Sequence, residues 1–253
     1  RGEAPWDSWQ EMVDAFAAAL PQIVGDRPYH LLGFCFGGYA AHALAARFEA
    51  DQQVQGPASV MLVDAVVPSR VPEAFPSELA EGGPLDLMQR RLRVLATKYG
   101  SDPGLFGRLC AALETARDTD DALERVTPIL AADPGVQNVF RVGDAKAIRT
   151  YLSLYLHYVG FIAGLRDLPA HQVPTLTVSC AETSARLTVP GEDWAGYVGS
   201  LHDHAIDAPH DLVLFPPHTA EVAGAIRRFV ARPVEAARPR SRKAQGQAGA
   251  GVH

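Results

Sequence analysis

The chain has 253 residues, of which 47% are hydrophobic and 21% charged, and its net charge is −6. These values are typical of a soluble globular protein and argue against a nucleic-acid-binding surface. Three cysteines are too few for a disulfide framework and suit a reducing cytoplasm, and no apolar run is long enough to span a membrane. We therefore expect a cytoplasmic protein of one large domain, or one domain with an insertion, that binds neither nucleic acid nor membrane.

The first predicted element is a helix over residues 6–20, where apolar side chains recur at spacings of three and four. Pro21 and the turn-forming residues 25–28 are expected to end this helix. Because the sequence begins at Arg1 without a methionine, we expect it to be a piece of a longer chain.

A short apolar run over residues 29–34 leads into Gly-x-Cys-x-Gly around Cys35 and then into a helix of small residues. Strand, sharp turn and helix in this order are typical of a nucleophile elbow, with cysteine in place of the usual serine. We expect Gly33 and Gly37 to be required because a Cβ would obstruct the strained turn. The positive end of the helix favours a thiolate and an oxyanion, so the backbone N–H of Phe36 is a predicted oxyanion-hole donor.

The next apolar run, residues 58–64, predicts a buried strand with Asp64 at its carboxyl end. Strand, helix and strand without polar alternation indicate an α/β fold with a mostly parallel sheet covered on both faces. Chemistry in such sheets collects at the carboxyl ends of the strands, where both Cys35 and Asp64 are expected to lie.

Residues 84–170 change in character, because helical patterns separated by glycine or proline follow one another without a strand. We interpret this region as a helical lid inserted over the strand ends. Its helices are predicted over residues 85–99, 105–117, 121–131 and 145–165. The last helix carries an aromatic stripe that either packs the lid on the body or lines an acyl channel; its members are Tyr151, Tyr155, Tyr158 and Phe161.

Two more strands, residues 174–180 and about 202–207, precede His210, and a helix over residues 218–230 follows Pro216-Pro217. Residues 232–253 hold five Lys or Arg against one Glu and show no periodicity, which predicts a disordered basic tail. The expected organisation is one domain over residues 1–231, followed by this tail.

Cys35, Asp64 and His210 occur in the order nucleophile, acid and histidine, each shortly after a predicted strand. A nucleophile needs a base to take its proton and an acid to orient that base, so these residues predict a catalytic triad. Glu182, which follows the strand at 174–180, remains an alternative acid. The alternatives to His210 are His202, His204 and His218. No metal-ligand spacing is present, and we expect no metal.

Residues 29–38 resemble the Gly-x-Ser-x-Gly-Gly elbow of thioesterase domains that terminate nonribosomal peptide, polyketide and fatty acid synthases. Leu62-Val63-Asp64 is similar to the segment that supplies the acid in this family. His210 with Pro216-Pro217-His218 resembles the family's Gly-Asp-His-(five residues)-Pro-Pro-His, although Ala208-Pro209 replaces Gly-Asp. The resemblance covers residues 6–231 and implies an α/β-hydrolase fold with a helical lid. The first strands of that fold are absent ahead of Arg1, so we expect the sequence to lack an N-terminal portion.

The family resemblance also implies a reaction. A carrier protein, expected upstream in the same polypeptide, delivers an acyl or peptidyl chain on phosphopantetheine, and the domain itself binds no cofactor. A minority of the family use cysteine, including some that release strained β-lactone or β-lactam products in antibiotic biosynthesis. Capture on Cys35 preserves thioester activation for cyclisation or hydrolysis, whereas capture on serine gives a less activated oxoester.

Three other interpretations remain. Dienelactone-hydrolase-like enzymes share Gly-x-Cys-x-Gly-Gly, but they have little chain between the cysteine and the histidine. A stand-alone editing thioesterase would clear stalled carrier proteins. A degenerate hydrolase fold could serve as a non-enzymatic binding module, which the presence of both Asp64 and His210 argues against.

Overall fold

The computed structural model describes residues 5–51, 54–76, 81–140, 144–165, 168–187 and 193–232. The predicted basic tail lies outside the described residues, except for Arg232.

Helices and strands alternate at both ends of the chain, and helices fill its middle. The first elements are α1 (Trp9–Val24), β1 (His30–Phe34), α2 (Phe36–Ala50), β2 (Ser59–Val63) and α3 (Val71–Ala74). The middle helices are α4 (Pro84–Tyr99), α5 (Leu105–Glu114), α6 (Thr119–Ala131), α7 (Pro134–Phe140) and α8 (Ala145–Gly164). The last elements are β3 (Thr175–Cys180), α9 (Ala181–Ser184), β4 (Leu201–Ile206) and α10 (Thr219–Val230).

The described residues form a four-stranded parallel sheet in the order β1-β2-β3-β4. Phe34 at the end of β1 pairs with Val63 at the end of β2, and Val63 pairs with Val178 near the end of β3. The strands therefore end close together, and the residues that follow them meet at one edge of the sheet. This confirms the predicted parallel sheet and the location of Cys35 and Asp64.

Helices cover both faces of the sheet. Every residue of β2 is buried, as expected for an uninterrupted apolar strand inside a parallel sheet. On one face, α2 contributes Tyr39, Ala41 and Ala45 to the core. On the other face, α10 packs through Val222, Ala225 and Phe229. Burial of these apolar side chains, worth roughly 25 cal/mol per Å², holds the strand ends in place.

Residues 84–164, called here the helical insert, have a hydrophobic core of their own. Met88, Leu92 and Leu95 follow the helical spacing on α4 and are fully or almost fully buried against α5, α6 and α8. The helix α7 was not predicted, because its seven residues are too few to show a period. Its start is stabilised by Asp133, whose Oδ1 accepts the N–H of Val136 at 3.0 Å.

The first helix differs from the prediction at both ends. It begins at Trp9, after Ser8 caps it by accepting the N–H of Glu11, and it continues past Pro21 to Val24. Pro21 lies in the last turn, where its carbonyl still accepts the N–H of Gly25 at 2.9 Å. A proline at this point removes a single intrahelical bond, so the helix ends only at Gly25. Among the described residues, no helix is both long and apolar enough to cross a bilayer.

Candidate active site

Cys35 occupies a strained turn between β1 and α2. Its φ of 50° and ψ of −119° lie in a region that side chains with a Cβ rarely adopt. Two backbone bonds hold it there, because its N–H donates to Val63 O and its carbonyl accepts the N–H of Gly38, each at 2.9 Å. The half-buried thiol is thereby presented at the edge of the sheet.

The glycines of this turn have unequal roles. A Cβ on Gly33 would lie 2.1 Å from the carbonyl oxygen of Gly37, and a Cβ on Gly38 would lie 2.5 Å from the Cβ of Ala65. A Cβ on Gly37 would meet nothing within 4 Å, so the prediction that Gly37 must lack a side chain is wrong. The required close approach is that of the Gly37 backbone to Gly33.

Asp64 follows β2 and is 4% exposed, with a φ of 47°. One carboxylate oxygen accepts Nδ1–H of His210 and the hydroxyl of Thr183, each at 2.6 Å, and the other accepts the N–H of Cys180 at 2.9 Å. Burial alone would raise the pKa of Asp64, but these three hydrogen bonds lower it below its usual value. Asp64 is therefore a carboxylate that orients the His210 ring.

His210 begins a short 3-10 turn after β4, and its ring packs between Phe34 and Phe75 at centroid distances of 4.9 and 5.2 Å. Its ring Nδ1 is hydrogen-bonded to Asp64, and the Cys35 thiol is close enough to interact electrostatically with the ring. Burial lowers the pKa of His210, but its interactions with Asp64 and Cys35 outweigh burial and raise it to about 10. The arrangement can receive a proton from a thiol and hold it.

Glu182, the alternative acid, also contacts His210, but at a different atom. Its carboxylate accepts the backbone N–H of His210 at 2.8 Å and forms ion pairs with Lys98 and Arg186. The ring Nδ1 contacts Asp64 instead. Glu182 therefore holds the backbone of His210, while Asp64 orients the ring.

The alternative histidines lie elsewhere. The ring of His202 packs on Phe229, and His204 lies 3.3 Å from the carboxylate of Glu221. His218 precedes the first residue of α10. The structure thus brings together Cys35, Asp64 and His210 from the sequence candidates.

Phe36 is the first residue of α2, where backbone N–H groups have no acceptor within their own helix. Its ring stacks on Tyr158 of α8 at 5.0 Å and meets Trp9 of α1 edge-on at 5.6 Å. The body of the protein and the helical insert therefore both hold Phe36, the residue predicted to supply an oxyanion-hole N–H.

A cavity of about 330 Å³ opens beside Cys35 and His210. The predicted substrate residues Tyr151, Tyr155 and Tyr158 all line it. Phe161, the fourth member of the stripe, packs against His157 and Phe36. The other lining residues are mainly apolar or aromatic, and they include Phe75, Val71, Leu154, Val159 and Ile162. The cavity suits an apolar chain, and the stripe both lines it and packs the insert on the body.

Several residues at the site had no predicted role. Thr183 and the N–H of Cys180 hold Asp64, and their position at the end of β3 and just beyond it was the signal that could have identified them. Arg91 and Asp211 line the cavity and form an ion pair at 3.3 Å. Arg91 also donates to the hydroxyl of Tyr151, and its guanidinium lies 4.9 Å from the ring centroid of Tyr155. Nothing in the local sequence pattern distinguishes Arg91 from the other arginines of α4.

Across the described parts of the chain, no three His, Cys, Asp or Glu side chains form a cluster that could hold a metal ion. The groups available for chemistry are the thiol, the imidazole, the carboxylates and the backbone N–H groups.

Comparison with known proteins identifies the family of this chain. A family model described as the Thioesterase domain matches residues 1–157. A 78-residue stretch is 40% identical to the polyketide synthase GfsE of Streptomyces halstedii and spans 31% of this chain. That stretch corresponds to 2% of the length of the synthase.

Solved structures resemble the chain over nearly its whole length. The NocB thioesterase domain, in covalent complex with a fluorophosphonate nocardicin G analogue, superposes with a TM-score of 0.57 at 18% identity, covering 92% of this chain and 79% of that one. The four-domain nonribosomal peptide synthetase AB3403 gives a TM-score of 0.60 at 19% identity, covering 92% of this chain and 17% of that one. At these identities the likeness shows the fold, which is the α/β-hydrolase fold of thioesterase domains.

Proposed function

This chain belongs to the thioesterase domain family, and from that premise we propose that it releases an acyl or peptidyl chain from the phosphopantetheine of a carrier protein, with Cys35 as the covalent nucleophile. The observation that carries the proposal is the series of Cys35, His210 and Asp64 beside an apolar cavity, in which Asp64 is hydrogen-bonded to the ring that interacts with the Cys35 thiol. Such a series gives the thiol an acceptor for its proton and gives the imidazole a fixed orientation.

The first half of the reaction transfers the chain to the enzyme. His210 takes the proton of Cys35, and the thiolate attacks the thioester carbonyl to form a tetrahedral intermediate. The N–H of Phe36 donates to the developing oxyanion. Collapse of the intermediate breaks the bond to the pantetheine sulfur, which leaves as a thiol with the proton from His210. The acyl chain is then a thioester of Cys35.

The second half releases the product. An amine or hydroxyl of the bound chain, or water, attacks the acyl-Cys35 carbonyl while His210 takes the proton of that nucleophile. Expulsion of the Cys35 thiolate, which regains its proton, completes the cycle. Asp64 stays ionised throughout, and it stabilises the imidazolium that forms in each half.

Cysteine rather than serine gives the release step a specific character. A serine ester is lower in free energy than the incoming thioester, whereas acyl-Cys35 is a second thioester and retains the activation of the carbonyl. This activation favours cyclisation by a weak internal nucleophile, including closure of a strained β-lactam or β-lactone ring. The apolar cavity supports this proposal, since aromatic walls reduce the access of water to the acyl carbonyl.

The proposed partner is a carrier-protein domain upstream in the same polypeptide, and the proposed location is the cytoplasm. Two of the similar proteins, a polyketide synthase and a four-domain nonribosomal peptide synthetase, support an origin in a larger synthase. The proposed boundaries are residues 1–231 for the catalytic domain, residues 84–170 for its lid and residues 232–253 for the tail. The substrate carries its own phosphopantetheine, so the domain needs no bound cofactor.

The proposal is tested by analysing the products formed from an acyl thioester that contains an internal amine. The wild type should release cyclised product, and Cys35→Ser should shift release toward the free acid or stop at a stable oxoester. Cys35→Ala should lower turnover by at least about 10³-fold. Cys110→Ala, which changes a half-buried thiol in α5, is the matched control and should retain turnover. Wild-type turnover by Cys35→Ala would contradict the proposal.

A further inference from the structure

His210 lies in a single 3-10 turn, His210–Leu212, whose residues are half-buried. The turn has no regular helix or strand of its own to fix its backbone. A catalytic imidazole must nevertheless be held within a fraction of an ångström of its partners. Contacts from outside the turn must supply that precision.

One such contact is made by Asp211, the residue next to His210. Its carboxylate accepts the hydroxyl of Tyr99 at 2.5 Å, and it forms ion pairs with Arg91 at 3.3 Å and Lys98 at 3.5 Å. All three partners belong to α4 of the helical insert. Arg91 lies about two turns before Lys98 and Tyr99 on the same side of that helix, so a single rigid element presents all three.

The second contact runs through Glu182. Its carboxylate accepts the backbone N–H of His210 at 2.8 Å, and it pairs with Lys98 at 2.8 Å. Lys98 therefore contacts two carboxylates. One belongs to Glu182, which accepts the backbone N–H of His210, and the other belongs to Asp211, the residue next to His210. We call Arg91, Lys98 and Tyr99 of α4, with Asp211 and Glu182, the α4 network.

We propose that α4 positions the imidazole of His210 through this network, so that the helical insert takes part in catalysis as well as covering the cavity. The inference rests on the proposed function. His210 is held at its ring by Asp64, whereas its backbone and its neighbour depend on the contact with α4. When α4 is seated on the body, the ring stays aligned between Cys35 and Asp64. When α4 moves away, the ring loses that alignment and proton transfer slows.

The charges around His210 fit this arrangement. The ionisable groups around it are Cys35 and Asp64 from the ends of β1 and β2, Glu182 from α9 and its neighbour Asp211. Lys98 and Arg91 of α4 pair with these last two carboxylates. Burial raises the pKa of Asp211, but Arg91, Tyr99, His210 and Lys98 lower it to about 2, so Asp211 is ionised at neutral pH. Asp211 thus provides a stable anion for the cations of α4.

The test removes the hydroxyl oxygen of Tyr99 from the network and measures kcat and the pKa of the His210 ring. Tyr99→Phe leaves every charge in place, and Tyr29→Phe is the matched control, since its hydroxyl bonds to Gln55 O away from the site. For hydrolysis of an acyl thioester, Tyr99→Phe should lower kcat about tenfold, with KM within about twofold. NMR titration of the His210 ring should show a lower pKa in Tyr99→Phe, because its bond to Asp64 is weakened. Tyr29→Phe should match the wild type in both measurements.

A second variant covers the event that Tyr99→Phe does not fold. Asp211→Asn removes the acceptor itself and should lower both kcat and the pKa of His210, with rescue of kcat by Asp211→Glu. Unchanged kcat and unchanged His210 titration in these variants would overturn the positioning role. A wild type that never acylates Cys35 would instead refute the proposed function, and the His210 titration would still report on the network because it needs no turnover.

Discussion

At the scale of single residues, backbone strain coincides with the proposed chemistry. Within the described residues, the non-glycine residues with positive φ are Cys35 and Asp64, at 50° and 47°. Such conformations cost on the order of 1–3 kcal/mol each, and they persist only where surrounding bonds impose them. Here the bonds of Cys35 to Val63 and of Asp64 to Val178 and Cys180 impose them.

This strain predicts that the Cβ of Cys35, which the nucleophile requires, lowers the free energy of unfolding. Cys35→Gly and Cys35→Ala both remove the thiol, and they differ in the Cβ that the turn disfavours. Chemical denaturation should show Cys35→Gly to be the more stable variant by about 1 kcal/mol, with both inactive. If Cys35→Ala proved the more stable of the two, the turn would not be strained by a side chain.

At the scale of elements, the connection between β1 and α2 sets the position of the nucleophile. The carbonyl of Gly37 at the start of the helix lies against the Cα of Gly33 in the strand, with no room for a Cβ between them. This contact decides how tightly the chain turns around Cys35. It also distinguishes two glycines that look equivalent in the sequence motif.

The two glycines should respond differently to the same substitution. Gly33→Ala places a Cβ 2.1 Å from a backbone oxygen and should cost several kcal/mol, about 3 or more, because backbone atoms must shift. Gly37→Ala meets open space in the first turn of α2, and its effect on unfolding should be within about 1 kcal/mol. Urea unfolding of the pair measures the difference. Equal losses of stability would contradict the close approach of the strand and the helix.

At the scale of the whole molecule, local patterns predicted most of the longer elements, and the rule that chemistry collects at strand ends predicted that Cys35 and Asp64 lie close together. Cys35 and Asp64 each follow a strand directly, so their meeting could be inferred from the sequence alone. The choice between Asp64 and Glu182 could not, because it depends on which carboxylate reaches the ring and which reaches the backbone of His210. The α4 network could not be predicted from the sequence either. Its contacts join residues more than eighty positions apart, and no periodicity of the sequence relates them.

The stability of the whole molecule should depend on pH through a buried histidine pair. His42 of α2 and His171 ahead of β3 are 0% exposed, and their ring centroids lie 4.4 Å apart beside Trp194. Burial lowers the pKa of His42 to about 4. Burial and the neighbouring His42 lower the pKa of His171 to about 3. Both are therefore neutral in the folded protein at pH 7.

The sign of the effect follows from linkage. The unfolded chain binds these protons near pH 6.5 and the folded chain only near pH 4 and below, so acid favours unfolding. Stability should be complete above about pH 6.5 and should fall by roughly 2–4 kcal/mol by pH 5. Urea midpoints between pH 7 and 5 measure the slope, which His171→Leu should reduce by about half. An unreduced slope in His171→Leu would assign the acid sensitivity to other groups.

Covalent catalysis at Cys35 is tested most directly by the mass of the intact protein after brief exposure to an acyl-pantetheine thioester. We expect a mass gain of one acyl group on the wild type and on Cys110→Ala, and no gain on Cys35→Ala. Cleavage of the thioester without any acylated protein, or an adduct that persists in Cys35→Ala, would contradict covalent catalysis at Cys35.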